Sequence, residues 1–166
     1  MSSSPSRQRK TKEPCSGCGL HRELCICAQI PKLNLSTKLV LIIHTRELKR
    51  TTNTGQLALQ SLSNSEMRVR GQPGQLLDLS DLLNPKYQSL LFYPSEEAVE
   101  LTSELVQSFQ KPIQLFVPDG NWRQAGKVSI RHKEISHLPR VMIKFRNEAE
   151  HHLRAEHTPY GMSTLE

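Results

Sequence analysis

Long apolar runs are missing from this chain: none approaches the roughly 20 residues that cross a bilayer. A membrane-spanning helix is thereby excluded, and a soluble protein is expected. An apolar segment is missing from the N-terminus too, where residues 1–14 read MSSSPSRQRKTKEP. A secretory signal needs such a segment. Export is therefore not expected, nor is the disulfide framework that accompanies it, and the expected location is the cytoplasm. Cysteine is missing from Ala28 to Glu166. Acids are nearly missing from Trp122 to Arg146, where Glu134 stands alone. Hydrophobic residues make up 36% of the 166, on the low side but enough for one core. The chain reads as one domain with a small appendage.

What the chain does have in cysteine is concentrated. Cys15, Cys18, Cys25 and Cys27 follow a C-x2-C-x6-C-x-C pattern. Four soft ligands this close point to a tetrahedral metal site, with zinc as the expected ion. Gly17 and Gly19 supply the tight bends of the first knuckle. His21, in the intervening loop, is a possible substitute ligand. The alternatives are an iron–sulfur cluster, two disulfides or free thiols. Four thiolates would close the coordination shell, so the metal's expected role is structural: stapling a small N-terminal module.

Positive charge is concentrated as well. The formal net charge is +6. Between Trp122 and Arg146 lie Arg123, Lys127, Arg131, Lys133, Arg140, Lys144 and Arg146. A basic face of this kind points to phosphate, and nucleic acid is the expected partner; a merely solvated surface is the alternative.

Residues 1–14 read as a disordered basic tail, residues 15–30 as the cysteine knuckle, and 31–166 as the main domain. Lys38–His44, KLVLIIH, is an apolar β-branched run and predicts a buried strand. Further strands are expected at Met67–Arg70, Gln88–Tyr93, Pro112–Val117 and Arg140–Phe145, with a turn at Gly71–Gly74. Helices are expected over Asn53–Leu62 and Asn121–Arg131. A third is expected to open at Ser95, with Glu96 and Glu97 in its first turn and Ala98, Leu101, Thr102, Leu105 and Phe109 on its buried face. Strands alternating with helices predict an α/β fold with a mainly parallel sheet and helices on both faces.

Ligands in such sheets bind beyond the carboxyl ends of the strands. Two ends stand out: Phe92-Tyr93-Pro94-Ser95, and Val117-Pro118-Asp119-Gly120-Asn121-Trp122 with the chain's only tryptophan. Asp119 suits a base or the holder of a cationic ligand, but equally a helix cap. Trp122 suits stacking on a base, but equally a place in the core.

These residues resemble the DTW-domain proteins, the tRNA-uridine aminocarboxypropyltransferases named for an Asp-x-Thr-Trp motif. Asp119-Gly120-Asn121-Trp122 keeps the Asp and Trp, with Asn121 at the Thr position. The four-cysteine cluster is similar to that of bacterial members. His44, Glu47, Asn53, Thr54 and Gly55, then Tyr93-Pro94-Ser95 with Glu97-Ala98, Leu138-Pro139-Arg140 and Gly161–Glu166 fit in order. The family pattern continues past Ser163-Thr164-Leu165-Glu166 with a further helix, so the chain reads as truncated there.

The resemblance implies a fold related to the knotted SPOUT methyltransferases, with S-adenosylmethionine bound at the knot. It implies transfer of the 3-amino-3-carboxypropyl group to N3 of a tRNA uridine, releasing 5′-methylthioadenosine. Asp119 and Trp122 are then the catalytic candidates. Tyr93, Pro94, Ser95, Val117, Pro118, Leu138, Ser163 and Thr164 are the donor-binding candidates, and Arg123, Lys127, Arg131 and Arg154 the RNA-binding ones. Rival classes are a non-catalytic zinc-containing RNA-binding protein and a SPOUT-type RNA methyltransferase. No membrane association is expected, and no protein partner is deducible.

Overall fold

The computed structural model describes residues 13–48, 50 and 53–144. Among them is a six-stranded, all-parallel sheet in the order β2-β1-β5-β3-β6-β4. The strands are β1 (Lys38–His44), β2 (Ser65–Arg70), β3 (Gln88–Phe92), β4 (Val99–Glu100), β5 (Ile113–Asp119) and β6 (Arg140–Met142). The helices are α1 (Gly55–Ser61), α2 (Ser103–Ser108), α3 (Trp122–Arg131) and α4 (Lys133–Ser136). A parallel sheet covered on both faces needs strands that are apolar throughout. β1 meets that need: Leu39 to Ile43 are all buried.

Strand alternation sorts the side chains onto two faces. On one face Leu39, Leu41 and Val117 pack beneath Ala58, Leu59 and Leu62 of α1 and its end. The same face continues through Leu90, Ile113 and Val141, covered by Leu101, Leu105 and Phe109 around α2. On the other, Val40, Ile42, Leu91 and Phe116 pack against Val128 of α3, Ile135 of α4, Leu138, and the Leu79–Leu82 turn. Fully burying a large apolar side chain such as Ile42, Leu91 or Phe116 stabilises the fold by about 1.5–3 kcal/mol.

The expected α/β architecture, with helices on both faces, is what the structure has. One element differs. The expected helix from Ser95 does not begin there. Residues 95–98 form a turn closed by the Ala98 N–H on the Ser95 carbonyl. Val99 and Glu100 then join the sheet edge beside Val141 and Met142. The helix opens at Ser103, where the Thr102 side chain accepts from the Leu105 N–H. Glu97, expected in a first helical turn, instead receives a hydrogen bond from Arg140 at 3.0 Å. Leu105 and Phe109 do face the sheet as their spacing predicts. The last expected strand is shorter too, ending at Met142, and Phe145 lies outside the described residues.

The knuckle is fastened to this body. Gln60 Nε2, near the end of α1, donates to the Gly17 carbonyl at 2.7 Å, and Lys32 Nζ donates to the Gln60 carbonyl at 2.6 Å. Leu33 bridges to Leu62 in parallel. No helix among the described residues is long and apolar enough to cross a membrane.

Candidate functional site

The four cysteine ligand atoms all lie within 4.8 Å of one another. Sulfur–sulfur separations include 3.4 Å (Cys15–Cys25), 3.6 Å (Cys15–Cys27) and 3.9 Å (Cys18–Cys25). Tetrahedral ligation with metal–sulfur bonds of about 2.3 Å places sulfurs about 3.8 Å apart. A disulfide would need about 2.05 Å, and all four cysteines are free. The donor set therefore suits a metal ion and not disulfides. Backbone N–H groups of Cys18 and Gly17, then the neighbouring thiols, lower Cys15 to about 6. Those of Ile26 and Leu20 lower Cys18. The crowding Cys25 and Cys15 sulfurs raise Cys27 to about 12. Sulfurs that resist ionising together are what a cation would relieve. His21 is not among the four: its Nδ1 accepts from the Glu23 N–H and caps a 3₁₀ turn. Gly17 is required by close approach, because a Cβ there would lie 2.6 Å from Cys27 Sγ.

The second constellation lies at the carboxyl edge of the sheet between β1 and β5. The connection after β1 runs through α1 to β2 on one side, and that after β5 runs through α3 and α4 to β6 on the other. Neighbouring strands whose connections diverge leave a crevice at their carboxyl ends, the general ligand position in open α/β sheets. His44 and Asp119 end these two strands.

Asp119 is buried and faces the α1 side, in register with Ile43. Its Oδ2 accepts from Asn53 Nδ2 at 3.1 Å. Asn53 Nδ2 also donates to the Glu47 carbonyl at 3.3 Å, while its Oδ1 accepts from the Gln56 N–H at 3.2 Å. One amide thus ties the β1 loop, the start of α1 and the end of β5 together. Gly55 permits the approach: a Cβ there would lie 2.9 Å from Leu41 Cδ2 and 3.0 Å from Asp119 Oδ2. Glu47 is buried and pairs with Arg50 at 3.2 Å.

The helix after Asp119 is capped by Asn121, not by Asp119. Asn121 Oδ1 accepts from the Gln124 N–H at 2.9 Å, and Gln124 Oε1 accepts from the Asn121 N–H at 2.9 Å, a reciprocal capping box. Asparagine at the motif's threonine position keeps an N-cap residue there. Trp122 is 54% exposed and so not a core residue. It meets Tyr93 edge-on with centroids 6.3 Å apart.

The other face of the same edge carries a cleft of about 460 Å³. Its lining includes His44, Arg46, Arg70, Arg123, Lys127 and Arg131, and no carboxylate among the described residues. Arg70 is buried and donates through Nη1 to the Gln124 carbonyl at 2.6 Å. Burial, then the Arg70, Arg46 and Arg131 charges, depress His44 below the usual imidazole value. Its Nδ1 accepts from the Arg46 N–H, which leaves the imidazole hydrogen on Nε2.

Of the sequence-predicted residues, the structure brings Arg123, Lys127 and Arg131 together in this cleft, and Tyr93 with Trp122. Pro94 is exposed at the end of β3, and Ser95 Oγ is enclosed with no hydrogen-bond partner among the described residues. Val117 and Leu138 are core side chains on opposite faces of the sheet; Pro118 is half-buried. Arg154, Ser163 and Thr164 lie outside the described residues. Sequence reasoning missed Arg46 and Arg70. The signal available for Arg70 was a cation closing a predicted strand beside a turn glycine.

The DTW domain matches residues 12–166. The chain is 27% identical over 168 residues to tRNA-uridine aminocarboxypropyltransferase 2 of Macaca fascicularis, covering 98% of this chain and 56% of that protein. The Drosophila melanogaster protein of the same name is 28% identical, with 98% and 64% covered. The Mus musculus one is 24% identical, with 98% and 56% covered. The chain thus spans somewhat over half the length of these relatives. No solved structure matches. On a match that takes in the knuckle and the whole described sheet, the chain belongs to the DTW-domain family.

Proposed function

We propose that this chain transfers the 3-amino-3-carboxypropyl group of S-adenosylmethionine to N3 of a uridine in tRNA, releasing 5′-methylthioadenosine. The observation that carries this reading is the likeness, over 98% of the chain, to proteins named tRNA-uridine aminocarboxypropyltransferase. The carboxylate and the cation-lined cleft at one sheet edge support it.

Tyr93, Pro94, Ser95, Val117 and Pro118, at and after the ends of β3 and β5, would hold the donor together with Leu138, Ser163 and Thr164. The Ser95 Oγ, enclosed and without a hydrogen-bond partner among the described residues, fits a polar ligand at that place. The donor supplies a sulfonium whose carbon–sulfur bond breaks to leave a neutral thioether. The protein's task is then orientation, which alone supplies many orders of magnitude. Uridine N3 must lose its proton as the new nitrogen–carbon bond forms. Asp119 takes that proton as general base, its carboxylate oriented by Asn53. A carboxylate also suits the donor's ammonium, the second role open to Asp119. Trp122, exposed beside Tyr93, offers a stacking face to the target base. Arg123, Lys127, Arg131 and Arg154 hold RNA phosphates.

The knuckle, residues 15–30, holds a structural Zn²⁺ through Cys15, Cys18, Cys25 and Cys27. It follows a basic tail, 1–14, and precedes the transferase domain, 31–166. The proposed location is the cytoplasm.

Nucleoside mass analysis of tRNA incubated with the chain and the donor tests the reading. A gain of one aminocarboxypropyl group is expected, abolished by Asp119→Asn while tRNA binding persists. A methyl gain would mark a methyltransferase, and tight binding with no gain a binding protein. Undiminished transfer by Asp119→Asn would remove Asp119 from catalysis.

A further inference from the structure

The cations of the cleft converge on one concavity that no carboxylate lines among the described residues. Elsewhere, Lys38, Arg50, Arg68, Arg140 and Lys144 each lie within 4.0 Å of a carboxylate. Arg46, Arg70, Arg123, Lys127 and Arg131 pair with no carboxylate among the described residues, yet line one concavity. Converging like charges repel, so such a cleft stores unfavourable energy that a bound anion releases. Arg70 is the extreme case: it is buried at 4% exposure, donates to a backbone carbonyl, and has no carboxylate partner among the described residues. A buried cation without a partner is costly.

The stripe is also built and not merely accumulated. Arg123, Lys127 and Arg131 recur every fourth residue along α3 and so share one face. Arg70 closes β2 in register with His44, which closes β1. Both point to the α3 side of the sheet, whereas Asp119 points to the α1 side. The two features meet at Asn121, which lines the cleft two residues after Asp119. Two residues span at most about 7 Å.

We propose that His44, Arg46, Arg70, Arg123, Lys127 and Arg131 form a single phosphate-binding pocket for the RNA backbone, on the sheet face opposite Asp119. The inference rests on the tRNA reading and deepens it. The RNA strand crosses the carboxyl edge of the sheet there, with one backbone phosphate seated in the cleft and the adjoining base left on the Asp119 side. The target base must then be out of its base pair when it reaches the Asp119 side, in a single-stranded stretch or flipped from a stem.

The test is the salt dependence of tRNA affinity, measured for the whole chain. Binding falls with log salt by about 0.7–0.9 per phosphate neutralised. If one phosphate is held by all six groups, the triple variant Arg123→Gln/Lys127→Gln/Arg131→Gln lowers that slope by about one phosphate's worth. Adding Arg70→Gln then changes it no further. The three α3 residues are exposed, so the triple variant should fold; the exposed Lys86→Gln serves as control. A fall of about three phosphates' worth would show separate contacts along α3 and overturn the pocket. An unchanged slope in a chain that still binds tRNA would overturn the cleft's role while leaving the tRNA reading intact. Wild-type chain without salt-dependent tRNA binding would overturn both. Inorganic phosphate at constant ionic strength should displace RNA only weakly; strong displacement would make free phosphate the ligand and overturn the assignment to RNA.

Discussion

Gly55→Ala is the substitution that most directly loads the arrangement around Asp119. The new methyl would sit 2.9 Å from Leu41 Cδ2, 3.0 Å from Asp119 Oδ2 and 3.1 Å from Asn53 Oδ1. Carbon atoms rest about 3.5–4.0 Å apart, so the Leu41 contact must open by about 0.6 Å or more. Leu41 is fully buried in the α1 face and has no room to retreat. The strain therefore falls on α1 and on the Asn53–Asp119 pair. Overpacking of this kind costs about 1–3 kcal/mol, and alanine's better helix propensity offsets at most about 1 kcal/mol of it. At this chain length each kcal/mol moves Tm by about 2–4 °C, so a fall of a few degrees is expected. The effect on transfer should be larger, because misplacing a reacting group by about 1 Å costs about a hundredfold. Single-turnover transfer, a thermal melt and tRNA affinity together make the assay. Lower Tm, strongly reduced transfer and unchanged tRNA affinity are expected, since the cationic cleft is on the other face. Wild-type transfer at wild-type Tm would refute the claim that Gly55 positions Asp119.

Gly17→Ala places a methyl 2.6 Å from Cys27 Sγ and should weaken zinc binding by about ten- to a hundredfold, the range for a disturbed ligand shell; chelator competition reads it. Asn121→Thr should be nearly silent in a thermal melt, whereas Asn121→Ala should cost about 0.5–2 kcal/mol, because only the first keeps a capping oxygen. His44 is depressed by burial and by Arg70, Arg46 and Arg131, with Lys127 lining the same cleft. Its neutral form is favoured in the folded chain. That contribution is complete above the unfolded value of 6.5 and is lost as pH falls from there through the lower folded value. His44→Gln should accordingly flatten the stability profile below that pH in denaturant titrations.

Much of this was legible in the residues. KLVLIIH reads as a buried strand and PIQLFV as a strand, because their apolar runs are short and rich in β-branched or aromatic residues. The four cysteines announced their cluster by spacing alone. The segment from Ser95 to Phe109 misled, because Leu101, Leu105 and Phe109 do share a buried face. The two-residue β4 between Ala98 and Leu101 exists only through pairing with Val141 and Met142, which no local pattern encodes. Arg70 was opaque for the same reason: its burial follows from the β1–β2 register and from α3 folding over it. That Asp119 faces one side of the sheet and the basic stripe the other is a consequence of strand parity, visible only once the register is known.

The central claim is a choice between carbons of one donor, and isotopic labelling addresses it directly. tRNA would be incubated with the chain and S-adenosylmethionine labelled in either the aminocarboxypropyl carbons or the methyl carbon. Only the aminocarboxypropyl label is expected to enter a tRNA uridine, while the methyl label leaves with the thioether product. Methyl label in the RNA, with the other label left in the small molecule, would contradict it.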